Sequence, residues 1–118
     1  MQHSVLIVEN DFDIAGLVQV HLTELNLLVD HVTTGDAALT KLTKQDYQIV
    51  LLDIMLPGID GLSLYREIKT KMPHVNVVFL SPENSEMDRI IGLEMGADDN
   101  ICKPFSYREL QARIKTQL

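Results

Sequence analysis

The sequence predicts an α/β fold, a doubly wound sheet of five parallel strands with helices on both faces. Three observations predict it. Short apolar, β-branched runs alternate with stretches of helical period, five times along the chain. Those runs are mostly apolar on consecutive positions, as strands covered on both faces are, rather than alternating as half-solvated strands do. The length of 118 residues and the hydrophobic content of 46% suit one domain with one sheet and no linker.

The elements follow in order. Ser4-Val5-Leu6-Ile7-Val8 is the first strand. Residues 12–25 carry Ile14, Leu17, Val18, His21, Leu22 and Leu25 at helical spacing. Leu27 to Val32 is a more polar second strand, suited to a sheet edge. Gly35 to Lys44 is a helix with Ala38, Leu39 and Leu42 on one face. Ile49-Val50-Leu51-Leu52 is apolar on both faces and predicts the central strand. Pro57-Gly58 and Asp60-Gly61 punctuate a loop. The helix through Leu62, Leu64, Tyr65 and Ile68 stops near Met72-Pro73. Val75 to Leu80 is the fourth strand. Residues 84–95 predict a fourth helix, with Gly96 as its terminating glycine. Ile101-Cys102 closes a short fifth strand, and Ser106 caps a last helix reaching about Gln117.

Composition excludes several functions. Ten basic against 17 acidic residues leave a net charge of −7. Such a surface repels nucleic-acid phosphates and anionic membranes, so neither is an expected partner. The lack of Trp, with only three Phe and three Tyr, gives no platform for stacking bases. No apolar run approaches a membrane span, and Met1-Gln2-His3-Ser4 leads into a strand without a signal-peptide layout. Cys102 is the only cysteine, so no internal disulfide can form and a reducing cytoplasmic location is expected. His3, His21, His31 and His74 fit no metal-ligand spacing, and Met87 and Met95 read as packing residues.

Sheets of this kind carry their chemistry beyond the carboxyl ends of the strands. Glu9, Asn10 and Asp11 follow strand one, Asp53 strand three, Ser81 strand four, and Lys103-Pro104 strand five. Clustered acids suit a hard divalent cation such as Mg²⁺. A lysine and a hydroxyl beside an acid suit phosphoryl oxygens. An aspartate can itself be the nucleophile and become an acyl phosphate. The plainer alternative is a βα turn in which Asn10 or Asp11 only caps the first helix.

Val5-Leu6-Ile7-Val8-Glu9-Asn10-Asp11, Leu52-Asp53-Ile54-Met55-Leu56-Pro57-Gly58, Phe79-Leu80-Ser81 and Lys103-Pro104-Phe105 together resemble the receiver domain of two-component response regulators. The likeness covers essentially the whole chain, residues 1–118, and is most like the subclass whose receivers precede a winged-helix DNA-binding domain. Any output domain would lie beyond residue 118. The resemblance implies the flavodoxin-like (βα)5 receiver fold with strand order 2-1-3-4-5. It implies Asp53 as phosphoacceptor from a sensor histidine kinase. Mg²⁺ would be held by Glu9, Asn10, Asp53 and the backbone carbonyl of Met55. Ser81 would be the switch hydroxyl and Lys103 the partner of Asp53 and then of its phosphoryl group. A cis Lys103-Pro104 peptide is expected. In the winged-helix subclass the fourth helix, fifth strand and last helix form a homodimer. Arg89 would then meet Glu109 of the partner, and Asp99 would meet Arg113.

Two positions depart from the family pattern. Asn10 stands where a second metal-ligating acid is usual, which weakens the expected hold on Mg²⁺. Asn100 stands where a switch aromatic is usual, which puts the usual readout of Ser81 in doubt. Together they favour, as the alternative, a phosphate-independent pseudo-receiver acting as an interaction module. Other classes fit worse. A phosphatase or dehalogenase of the Asp-nucleophile type needs an acid where Met55 stands. A flavin carrier or dinucleotide enzyme needs a Ser- or Gly-rich phosphate loop after strand one, where the chain has acids.

Overall fold

The computed structural model describes residues 2–56, 58, 60–82 and 98–118. Five strands, β1 (Ser4–Val8), β2 (Leu28–Val32), β3 (Ile49–Asp53), β4 (Asn76–Pro82) and β5 (Asp99–Lys103), form one parallel sheet in the order β2-β1-β3-β4-β5. The helices are α1 (Phe12–Thr23), α2 (Gly35–Lys44), α3 (Gly61–Lys71) and the C-terminal helix α4 (Tyr107–Thr116). The helix expected over residues 84–95, with Gly96, Arg89, Met87 and Met95, lies outside the described residues.

The strands sit where their side chains require. All five residues of β3 are buried, so it takes the middle of the sheet. Alternate residues feed two cores. Leu6, Val8, Val50, Leu52, Val77 and Phe79 face α2 and α3, meeting Ala38, Leu42, Leu64 and Ile68. Val5, Ile7, Ile49, Leu51, Val78 and Leu80 face α1 and α4, meeting Val18, Leu22, Leu110 and Ile114. Each such side chain contributes about 1.5–3 kcal/mol by leaving water. The register β1–β3, with Val5 opposite Ile49 and Val8 opposite Leu52, keeps both sets on their own faces.

Each described helix starts on a side-chain cap. Asp11 accepts from the backbone N–H groups of Asp13 and Ile14, Thr34 from Ala37, Asp60 from Ser63, and Ser106 from Glu109. Asp11 is thus the capping residue, and the turn after β1 serves the helix as well as the site. The first helix ends at Thr23, short of the expected Leu25. Its last carbonyls are taken by tightened turns, Leu25 N–H to Leu22 and Asn26 N–H to Thr23, and Asn26 adopts the left-handed conformation with φ of 62°.

Two further expectations are corrected. Leu17, expected on the packed face of α1, is 56% exposed, because the face that meets the sheet is Ala15, Val18 and Leu22. The fifth strand, expected to close at Ile101-Cys102, begins at Asp99 and runs one residue further, to Lys103. Its polar start is kept in the sheet by partners: Arg113 reaches Asp99 at 2.8 Å. Just before it, the Asp98 carboxylate accepts from the Val77 N–H at 2.8 Å. On the other edge of the sheet, the buried Tyr47 hydroxyl donates to Asp30 of β2. Among the described residues, no helix is long and apolar enough to cross a membrane.

Candidate functional site

The chain leaves β1 toward β2 on one side and later returns to place β3 on the other. The carboxyl ends of β1 and β3 therefore flank the point where the strand order reverses, which is where open α/β sheets leave a crevice. Glu9 follows β1 and Asp53 ends β3, and both are buried, at 1% and 5% exposure. Ser81 on β4 is fully buried, and Lys103 ends β5. Four residues far apart in the chain are thus brought to one edge, as the sequence suggests.

Lys103 joins the two acids. Its Nζ lies 2.7 Å from Glu9 Oε1 and 3.5 Å from Asp53 Oδ2. Backbone donors fix the carboxylates further: the Asp11 N–H donates to Glu9 Oε2 at 3.2 Å, and the Met55 N–H to Asp53 Oδ1 at 2.9 Å. The Lys103-Pro104 peptide is cis, as expected. Two carboxylates against one ammonium leave an excess of negative charge in a buried place. Glu9 registers it. Burial, and then the neighbouring Asp53, push its carboxyl above the usual range, although Lys103 and the Asp11 N–H pull the other way. A second cation would relieve that excess, and two carboxylates are hard-oxygen donors suited to Mg²⁺. Asn10 is exposed at the rim beside Glu9, and Met55 is 64% exposed beyond Asp53.

Ser81 is not idle. Its hydroxyl donates to Asn100 Oδ1 at 2.8 Å, and Asn100 Nδ2 lies 3.8 Å from Cys102 Sγ. Asn100 therefore contacts the buried Ser81 hydroxyl by hydrogen bonding. Cys102 is half-buried in this contact. Away from the site, Arg113 holds both Asp99 at 2.8 Å and Glu109 at 3.2 Å within the chain. Arg89 lies outside the described residues.

Sequence reasoning did not foresee the groove beside Asp53. A cavity of about 460 Å³ opens there, lined by Ile14, Leu17, Met55, Phe105 and two prolines, with Asp53 and Lys103 at its polar end. A signal was present: α1 carries apolar residues on more than its packed face, Phe12, Leu17 and Val20 being exposed.

Residues 5–115 match the family model for the response regulator receiver domain. Solved structures agree. DrrB of Thermotoga maritima, described as an OmpR/PhoB homolog, is 32% identical with a TM-score of 0.88, over 98% of this chain and 52% of that one. TrrA of Thermotoga maritima, solved with Mg²⁺ and beryllofluoride, is 29% identical with a TM-score of 0.89, over 99% of this chain and all of that one. A CheY-like receiver domain protein from Methanospirillum hungatei JF-1 is 26% identical with a TM-score of 0.91, over 99% of this chain and 94% of that one.

Proposed function

The chain belongs to the response regulator receiver domain family of two-component systems, and from that premise we propose that it takes a phosphoryl group from a histidine kinase onto Asp53. The observation that carries this is the position of Lys103, which touches Asp53 and Glu9 at once from the far edge strand. A carboxylate oxygen of Asp53 attacks phosphorus as the bond from phosphorus to the histidine nitrogen breaks, and the donor imidazole leaves with the electron pair. The Met55 N–H keeps Oδ1 oriented. Lys103, already near Oδ2, neutralises charge that gathers on the phosphoryl oxygens. Catalysis by the domain is thus positioning and charge neutralisation rather than acid–base chemistry. Glu9, Asp53, Asn10 and the Met55 carbonyl would hold Mg²⁺, whose charge would shield the acids from an incoming phosphate. The apolar groove beside Asp53 fits an apolar partner surface that delivers the phosphohistidine. The expected setting is the cytoplasm, and the expected output is control of transcription.

Incubation with a small phosphodonor and Mg²⁺ is expected to add one phosphoryl group, seen as intact mass, and Asp53→Ala should abolish it. Equal labelling of the variant would sink the reading. No labelling of the native chain, with its fold intact, would favour the pseudo-receiver alternative that Asn10 suggests.

Asn10 keeps an oxygen ligand but no charge. Contacts to charged groups are worth about 1.5–3 kcal/mol against about 1 for neutral ones, so Asn10→Asp is expected to tighten Mg²⁺ by very roughly tenfold. The added charge beside Glu9 and Asp53 offsets part of this. A calorimetric titration in which the variant binds no better rejects the assignment.

The proposed homodimer uses β5 and α4, together with the segment before β5. In the single chain Arg113 is occupied by Asp99 and Glu109. Dimer formation would exchange these bonds for equivalent ones across a two-fold axis, so it changes partners rather than the number of ion pairs. A salt-sensitive dimer that strengthens with beryllofluoride and weakens in Arg113→Glu is expected. Sedimentation giving only monomer with beryllofluoride present would make this face solvated surface.

A further inference from the structure

The turn that carries Glu9, Asn10 and Asp11 begins where β1 runs out. The Glu9 N–H still donates to the Val32 carbonyl at 3.1 Å, as in a parallel ladder. The Glu9 carbonyl would need the next N–H along β2. That strand ends at Val32, and Thr34 already caps α2. A side chain takes the carbonyl instead, with His31 Nε2 2.8 Å from the Glu9 oxygen. A carbonyl can only accept, so Nε2 carries the proton and donates. The register explains the reach. His31 pairs with Ile7, whose side chain faces α1, so the imidazole stands on the α1 face of the edge strand.

His31 also meets the far end of the turn. Phe12, the first residue of α1, stands edge-on to the imidazole, with ring centroids 5.7 Å apart and planes at 85°. One side chain thus touches the turn where it leaves β1 and where it enters α1. The other bonds of Glu9, from Lys103 and from the Asp11 N–H, act on its carboxylate. The bond from His31 acts on the peptide plane between Glu9 and Asn10. A trans peptide is planar, with its N–H opposite to its C=O. Holding the Glu9 carbonyl therefore sets the direction in which Asn10 leaves the strand end.

We propose that His31 is a positioning residue for the Mg²⁺ site, holding the turn through the Glu9 carbonyl so that the Glu9 carboxylate and the Asn10 oxygen are in place before the cation arrives. The proposal rests on the Mg²⁺ reading of this crevice. Asn10 sharpens the need. A neutral ligand attracts a cation weakly, so it cannot draw a loose turn into place as a carboxylate would, and the fold has to set it there. Residues that touch a ligand rather than the metal are commonly worth about 10–100-fold in metal affinity.

The test is a calorimetric titration of the full chain with Mg²⁺ alone, with the Glu9 carbonyl carbon resonance read in the metal-free protein. His31→Phe keeps a ring against Phe12 and loses the donor. His31→Gln loses the ring and keeps an N–H at nearly the reach of Nε2. The expected result is that His31→Phe weakens Mg²⁺ by about tenfold and moves the Glu9 carbonyl resonance upfield, and that His31→Gln restores both. Packing alone predicts the reverse order, because Phe preserves the ring contact. Native Mg²⁺ affinity in His31→Phe overturns this inference alone. A His31→Gln protein that binds no better than His31→Phe does the same. Absence of Mg²⁺ binding by the native chain overturns the metal reading and this inference with it.

Discussion

Gly61→Ala is expected to destabilise the domain by about 2–3 kcal/mol, the upper part of the range for forced overpacking, and to slow labelling of Asp53. Alanine is normally the better helix residue by at most ~1 kcal/mol, so the sign depends on space. A Cβ at Gly61 would stand 2.6 Å from the Ile54 Cα and 2.9 Å from the carbonyl oxygens of Asp53 and Ile54. These are backbone atoms and cannot turn aside as a flexible side chain could. They are also held, since the Ile54 N–H donates to the Leu80 carbonyl at 3.0 Å and the Gly61 N–H approaches the Ile54 carbonyl at 3.4 Å. Relief requires moving the chain directly after Asp53, which is why the site suffers with the fold. Gly16→Ala is the control. A Cβ there meets nothing within 4 Å on an exposed face of α1, so it should stabilise by roughly 0.5–1 kcal/mol. Urea midpoints for the two variants should therefore move in opposite directions. A Gly61→Ala midpoint at or above the native one would refute the clash.

Glu9→Gln is expected to weaken Mg²⁺ by about 10–100-fold, the loss of one charged ligand, while making the metal-free protein more stable at neutral pH. The second half follows from the raised Glu9 carboxyl. Raised in the folded state, it contributes stability that is fully present below its unfolded value. That contribution is lost as pH rises through the folded value. Above that window the native chain carries a buried carboxylate beside Asp53, which glutamine does not. Glutamine forfeits the 2.7 Å bond from Lys103 as an ion pair, but burial outweighs that contact in setting the shift. In a chelator, the melting temperatures of the two proteins should draw apart with rising pH and converge in acid. A pH-independent gap, or a variant less stable at pH 8, would contradict the argument. In the proposed Mg²⁺ site, better metal binding and better folding would pull this residue in opposite directions, as functional sites commonly require.

What the sequence made legible is what single segments carry. Glu9, Asp53, Ser81 and Lys103 each end an apolar run, and a polar residue in that position of a parallel sheet is brought to the crevice by topology alone. Caps such as Ser106 were legible for the same local reason. What stayed hidden depends on partners far along the chain. Asp99 and Asn100 look too polar for a strand until Arg113 and Ser81 are seen to satisfy them. Leu17 is indistinguishable from Val18 in an apolar helix until the sheet decides which one it touches. The groove beside Asp53 needs residues from α1, the β3–α3 loop and the β5–α4 loop at once, which no window of sequence contains.

The bond from Lys103 to Glu9 closes 94 residues of chain. A chain still emerging from the ribosome can present Glu9 and Asp53 long before it presents Lys103. Until the last strand is synthesised and docked, the two acids share a sheet edge without their ammonium. Contacts of such long range also form late in folding, since the loop must be closed before they contribute. Under the proposed function, an unfinished domain of this design could not yet take up a phosphoryl group, and that competence arrives only with completed folding.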